Sequence, residues 1–218
     1  MSLWSDFLNN RDRIIHKWPH YFPIYEKHFG PWVNRSLVFY EIGVYKGGSL
    51  QMWKKYFGPG VKIVGIDIKE KCKKYEEEQI TVRIGDQSDH KFLAQLVDEF
   101  GPPDLVLDDG SHQMHHITST FEFLYPLVSK NGVYMVEDLH TAYWEEFGGG
   151  LRKQGSFMEL CKDLVDKLNV EHTRGILKED SFSQSTLSMH FYNSIVAFEK
   201  GSPLGLKPQK HGGGLMGI

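Results

Sequence analysis

A chain of 218 residues, 40% hydrophobic and 13% aromatic, can bury one sizeable core and fits one domain. Its formal charge of −3 and pI near 6.4 give no electrostatic basis for nucleic-acid binding. No apolar run approaches the ~18 residues of a membrane span. Met1–Asn10 lacks a signal-peptide pattern, and two cysteines without a CxxC spacing read as structural thiols of a cytoplasmic protein.

Residues 1–36 are rich in Trp, Tyr, Phe, His and Pro, and predict one helix before Pro19 and a turn at Gly30-Pro31. This segment reads as a lid or flap. The periodic pattern begins with a strand over Leu37–Gly43, then a helix from Ser49 to about Phe57, stopped by Gly58-Pro59-Gly60. Strands follow at Val61–Ile66 and Ile80–Ile84. The run Lys69–Glu78 between them reads as a solvated helix face with i,i+4 charge pairs. Phe92, Leu93, Leu96, Val97 and Phe100 have helical spacing. A fourth strand is predicted at Leu105–Leu107, a helix over Met114 to about Val128, and a fifth strand at Gly132–Val136.

That cadence means βαβ crossovers and a parallel sheet. Past a flexible Gly148-Gly149-Gly150 loop, a helix at Phe157–Leu168 precedes two strands, Leu187–Tyr192 and Ile195–Lys200, separated by Asn193-Ser194. So short a connection forces an antiparallel hairpin. A doubly wound, mostly parallel seven-stranded α/β sheet closed by such a hairpin is the Rossmann-like pattern of a class I methyltransferase, here spanning 37–200. Residues 201–218 carry no periodicity and are expected to form a mobile tail.

The first strand runs into Glu41-Ile42-Gly43-Val44-Tyr45-Lys46-Gly47-Gly48-Ser49, a GxxxGG loop and not GxGxxG. A pyrophosphate clamp is therefore less supported than another nucleotide. Asp67 ends the second strand, where a carboxylate can accept from a ribose diol. Glu41 can hold an amino group, and Asp86-Gln87 an adenine amino group. Candidate cofactor contacts along these strand ends are Glu41, Gly43, Tyr45, Gly47, Ser49, Asp67, Ile68, Asp86, Gln87 and Asp108. S-adenosylmethionine fits them better than NAD.

Two carboxylate clusters close the fourth and fifth strands: Asp108-Asp109-Gly110-Ser111-His112 and Glu137-Asp138. Asp109, Glu137 and Asp138 are hard oxygen ligands for Mg²⁺, and His112 is a candidate base beside them. For Glu137 and Asp138 to share one ion the strand must end or bend there, because consecutive strand residues face opposite ways. A zinc reading of His112 and His116 lacks a third His or Cys at convincing spacing.

These motifs, with Gly47-Gly48-Ser49-Leu50-Gln51-Met52-Trp53-Lys54, Gly85-Asp86-Gln87-Ser88-Asp89 and Ala142-Tyr143-Trp144, resemble the macrocin- and mycinamicin-type sugar O-methyltransferases. That group includes proteins labelled cephalosporin hydroxylase or rhamnosyl O-methyltransferase. The resemblance covers about residues 36–150. It implies S-adenosylmethionine and Mg²⁺ as cofactors, Asp109, Glu137 and Asp138 as metal ligands and His112 as base. It also implies a small-molecule or glycan acceptor with a vicinal diol, and a homo-oligomer. The auxiliary N-terminal domain of some macrolide members is not expected here, which leaves the acceptor open. Two other readings compete: an NAD(P)-dependent oxidoreductase, and a nucleotide-binding scaffold without turnover.

Overall fold

The computed structural model describes residues 2–202 together with Pro208, Lys210 and Gly212. Most of the tail expected to be mobile therefore lies outside the described residues. Seven strands form one sheet: β1 (Leu37–Ile42), β2 (Val61–Asp67), β3 (Ile80–Ile84), β4 (Leu105–Asp108), β5 (Val133–Val136), β6 (Thr186–Tyr192) and β7 (Ile195–Lys200). Their order is β3-β2-β1-β4-β5-β7-β6. The first five run parallel, and β7 pairs antiparallel with both β5 and β6. The chain winds outward from β1 in one direction and then from β4 in the other. The crevice between them is where open α/β sheets bind ligands.

Alternation along each strand builds two apolar layers. Phe39, Ile63, Leu105, Leu107, Met135 and Ala197 face one side. Tyr40, Val64, Val106, Tyr134, Val136 and Phe198 face the other. The first side is covered by α1 (Leu3–Leu8), α2 (Phe22–Phe29) and α3 (Gly48–Phe57). The second is covered by α4 (His90–Phe100), α5 (Met114–Leu124) and α6 (Phe157–Leu168), with the short α7 (Ser181–Ser185) beside α6.

The N-terminal segment differs most from its sequence reading. It holds two helices, and the second starts after Pro19, with Pro23 in its first turn. Proline is tolerated there because the first-turn N–H has no intrahelical partner. Leu3, Phe22, Tyr25 and Phe29 join the same apolar layer as α3, around Trp53. The indole of Trp53 is fully buried against the rings of Tyr25, Phe29, Phe39 and Phe57 at centroid separations of 5.1–5.8 Å.

Three further details depart from expectation. The Lys69–Glu78 run forms a 3₁₀ stretch at Glu70–Tyr75, not an α-helical face, because Cys72 turns inward and is buried. The α5 helix ends at Leu124, and Pro126 sits in a following 3₁₀ turn. The triple glycine is a bonded turn: Gly149 N–H donates to the Trp144 carbonyl and Gly150 N–H to the Ala142 carbonyl, each at 2.9 Å.

The Trp53→Ala substitution should lower the unfolding free energy by about 3–5 kcal/mol, the usual cost of emptying a large aromatic site. Urea denaturation measures it. A loss under about 1 kcal/mol would mean that the N-terminal helices are not part of the main core.

Candidate active site

Strand register sets the level of the site. Ile42 pairs with Asp108, and Asp108 with Val136, so the segments after β1, β4 and β5 emerge side by side. At this edge opens a cavity of about 570 Å³. Gly43 stands at its floor with φ of +96°, and a Cβ there would collide with the Asp109 backbone carbonyl. Only glycine fits both the dihedral and the contact.

Asp67 organises the loop above. Its carboxylate accepts from the Val44 and Tyr45 amides at 3.0 and 3.2 Å and from the Lys69 amide at 2.8 Å. Tyr45 and Ile68 project from either side of it, both largely exposed, and line the cavity with Gly43 and Asp67. At the end of β3, Asp86 lines the far wall while accepting from the Ser88 amide and hydroxyl, both at 2.8 Å. Gln87 touches the cavity, but its amide is committed inward. Its Nε2 donates to Asp108 and Thr120, and its Oε1 accepts from the Ser111 amide at 2.8 Å.

Four residues selected from the sequence for cofactor contact lie beneath the cavity and do not line it: Glu41, Gly47, Ser49 and Asp108. Glu41 follows the β1 alternation toward α3, where it accepts from Ser49 Oγ at 3.0 Å and Trp53 Nε1 at 3.2 Å. Gly47 makes room for the Tyr75 ring, which lies 2.6 Å from where its Cβ would stand. Asp108 ends β4 facing the α4–α5 layer, held by Gln87 and the Gly110 amide. Burial raises Glu41 to about 7, opposed by the Lys17 charge, and likewise raises Asp108 to about 7. These groups shape the loop from below.

The second cluster surrounds His112. The β5 strand ends at Val136, and Asp138 takes a left-handed φ of +57°, so its side chain departs from the strand alternation. His112 adopts the same left-handed value, and Tyr45 has φ of +50°. Such conformations are uncommon outside glycine and concentrate at functional sites. His112 Nε2 lies 3.7 Å from an Asp109 oxygen and 3.8 Å from an Asp138 oxygen. One donor atom from each of the three falls within 4.8 Å of the others. Two carboxylates at a cavity mouth are donors that fit a hard divalent cation. His116, by contrast, is bonded to Ser111 through Nδ1 at 2.8 Å and shares no helix with His112.

Glu137 occupies a deeper position. It is buried, bonded to Lys17 Nζ and to the Tyr25 hydroxyl. Lys17 is itself buried and reaches Asp109 at 2.6 Å and Glu41 at 3.8 Å. Desolvation works against the Lys17 charge, but Asp109, Glu137 and Glu41 more than offset it and hold the ammonium above its ordinary range. Burial raises Asp109 to about 6 despite Lys17, and raises Glu137 well above the carboxylate range, aided by Asp109. The Tyr21 hydroxyl donates to Asp138 at 2.6 Å. Burial, then Asp138, raises the Tyr21 phenol, and burial, then Glu137, raises that of Tyr25, so both stay protonated donors.

Lys17, Tyr21 and Tyr25 were not legible as site residues. A 3.6-residue period does place Tyr21, Tyr25 and His28 on one helical face, and that spacing was the available signal. Lys17 had none, since its partners lie 24 to 120 positions away. His140 bonds Ser194 Oγ through Nδ1 at 2.7 Å and packs beside Trp144. Tyr143 and Trp144 are exposed.

No family model matches the chain. Over 199 residues it is 38% identical to the demethylmacrocin O-methyltransferase of Streptomyces fradiae, covering 84% of this chain and 49% of that protein. It is 36% identical over 195 residues to the mycinamicin VI 2''-O-methyltransferase of Micromonospora griseorubida, covering 84% and 48%. Among solved structures, the MycE methyltransferase from the mycinamycin biosynthetic pathway, in complex with Mg, SAH and mycinamycin VI, matches with a TM-score of 0.79 at 34% identity. That match covers 92% of this chain and 53% of the other. The chain thus spans about half the length of the curated relatives it matches. Over most of its length the chain is thus similar to the macrocin- and mycinamicin-type sugar O-methyltransferases, and it has the Rossmann-like fold of a class I methyltransferase.

Proposed function

We propose that this protein is an S-adenosylmethionine- and Mg²⁺-dependent O-methyltransferase acting on a sugar hydroxyl or related diol of a glycosylated small molecule or glycan. One observation carries the reading: Asp109, His112 and Asp138 converge in a cavity that Gly43, Tyr45, Asp67 and Ile68 also line. The relatives named above are sugar O-methyltransferases, which supports the acceptor class. Two buried free cysteines suit a reducing, cytoplasmic setting. Among the described residues no helix is long and apolar enough to cross a membrane.

When bound, S-adenosylmethionine supplies an electrophilic methyl group, and Mg²⁺ supplies positive charge that favours an ionised hydroxyl. The chain's own residues do the rest. Asp67 offers a carboxylate to the ribose diol, and the Tyr45 and Ile68 side chains flank the cavity around it. Asp109 and Asp138 would hold the cation, and the Tyr21 hydroxyl, which donates to Asp138, orients that carboxylate. Glu137 supports this pair from below, bonded to Lys17 Nζ and to the Tyr25 hydroxyl. His112 accepts the acceptor hydroxyl proton at Nε2. Burial keeps its pKa below the ordinary 6.5, against the pull of Asp138 and Glu137, so the imidazole is neutral and basic near pH 7. The exposed Tyr143 and Trp144 offer stacking surface to a sugar ring.

Calorimetry is the direct test. S-adenosylhomocysteine should bind and NADH should not, and turnover on glycosylated acceptors should vanish in EDTA and return with Mg²⁺. Tight NADH binding alone would overturn the reading. The His112→Ala variant should lose about 10²–10⁴-fold in kcat while S-adenosylhomocysteine affinity stays within about threefold. Equal losses in both would make His112 structural. Because its pKa is lowered, the proton-accepting form survives to lower pH, and the acid limb of kcat should have its midpoint below 6.5. Lys17→Met should cost the metal-free protein about 3–5 kcal/mol in urea unfolding, since it strands buried carboxylates without a counter-charge. An unchanged midpoint would show that Lys17 does not balance them.

A further inference from the structure

A second group of metal-ligating side chains stands at the opposite end of α2, away from the cavity. His28 of α2, His190 of β6 and Glu199 of β7 each present a donor atom within 4.8 Å of the other two. His190 and Glu199 lie on one face of the hairpin, since His190 pairs with Ala197 and Ser188 with Glu199. The α2 helix packs on that face and buries His28 completely. The geometry points to a Zn²⁺ site built from His28, His190 and Glu199, which fastens the N-terminal helix to the sheet edge.

Four features support zinc in particular. Two imidazoles and one carboxylate are a borderline-soft donor set, the kind zinc takes with one further position left for water. His28 Nδ1 is 2.8 Å and His190 Nε2 3.3 Å from the two Glu199 oxygens. Donors of a tetrahedral zinc stand about 3.3 Å apart, so modest side-chain movement admits the ion. The opposite nitrogen of His28 is bonded to the Tyr192 hydroxyl at 2.9 Å, which orients the ring as outer partners of metal-bound histidines do. His190 and Glu199 remain partly exposed, which leaves a route for the ion.

Zinc here joins residues 162 and 171 positions apart in sequence, and Tyr25, one turn before His28 on α2, bonds the Glu137 carboxylate. Metal at the sheet edge therefore steadies the helix that supports the carboxylate cluster. Zinc binding itself requires nothing from the cavity, so its test stands apart from methyl transfer.

The experiment titrates the full-length, metal-stripped protein with Zn²⁺ and with Co²⁺ in excess Mg²⁺, beside the His190→Ala and Glu199→Gln variants. Calorimetry gives the number of equivalents, Co²⁺ visible absorption reports four-coordinate binding, and circular dichroism confirms folding. Wild type should bind one equivalent more than either variant, and show a Co²⁺ band that both variants lose. Its thermal midpoint should rise by about 5–10 °C at a hundredfold excess of Zn²⁺ over Kd. Tyr192→Phe should weaken binding about tenfold or more without removing the site. Equal uptake and equal spectra in wild type and both folded variants would overturn the proposal and leave a hydrogen-bonded cluster. So would no uptake at all. Should one variant fail to fold, the other decides.

Discussion

Everything at the carboxyl edge of this sheet depends on a buried positive charge that comes from outside the α/β pattern. Asp109, Glu137 and Glu41 gather within reach of one another because β1 and β4 are adjacent and β4 and β5 end in register. Three carboxylates in so little water repel, and each is pushed toward its neutral form. Lys17 enters from the N-terminal segment and contacts all three. A charge that deep survives only when paired. The segment that carries it must therefore dock whenever the cluster is ionised, and its helices pay for that docking with aromatic burial around Trp53.

The same segment links the two ends of the structure. Tyr21 and Tyr25 donate to Asp138 and Glu137, while His28, farther along, meets the hairpin. A single short helix and the turn leading into it thus contact the two residues just past β5 and the last two strands of the sheet. The apolar layer keeps that helix in place, and the polar groups at its two ends set its register.

Of the nine left-handed non-glycine residues among those described, three stand where chemistry is proposed. Tyr45, His112 and Asp138 all take left-handed conformations and all line the cavity. For Asp138 the cause is geometric: a continued strand would have sent it to the face opposite Glu137. For His112 the turn brings the imidazole back between the two carboxylates that flank it. The core layers on both faces of the sheet supply the stability that holds these conformations.

Sequence alone determined the architecture and the identity of the chemical groups. Apolar alternation, glycine stops and a two-residue hairpin link are local properties, so β1 to β7 and α3 to α6 were legible close to their observed limits. Asp109, His112 and Asp138 were legible because strand ends of a parallel sheet share one edge. What tertiary structure decided is which acidic groups reach the cavity and what neutralises the others. Glu41 and Asp108 turned inward because strand alternation sends them under the loop, a fact visible only once neighbouring helices are known. Lys17 and the His28–His190–Glu199 cluster depend on contacts across most of the chain, and no local pattern encodes such distances. The α2 helix was obscured by its own prolines, and only packing against Trp53 and Phe39 shows why it forms there.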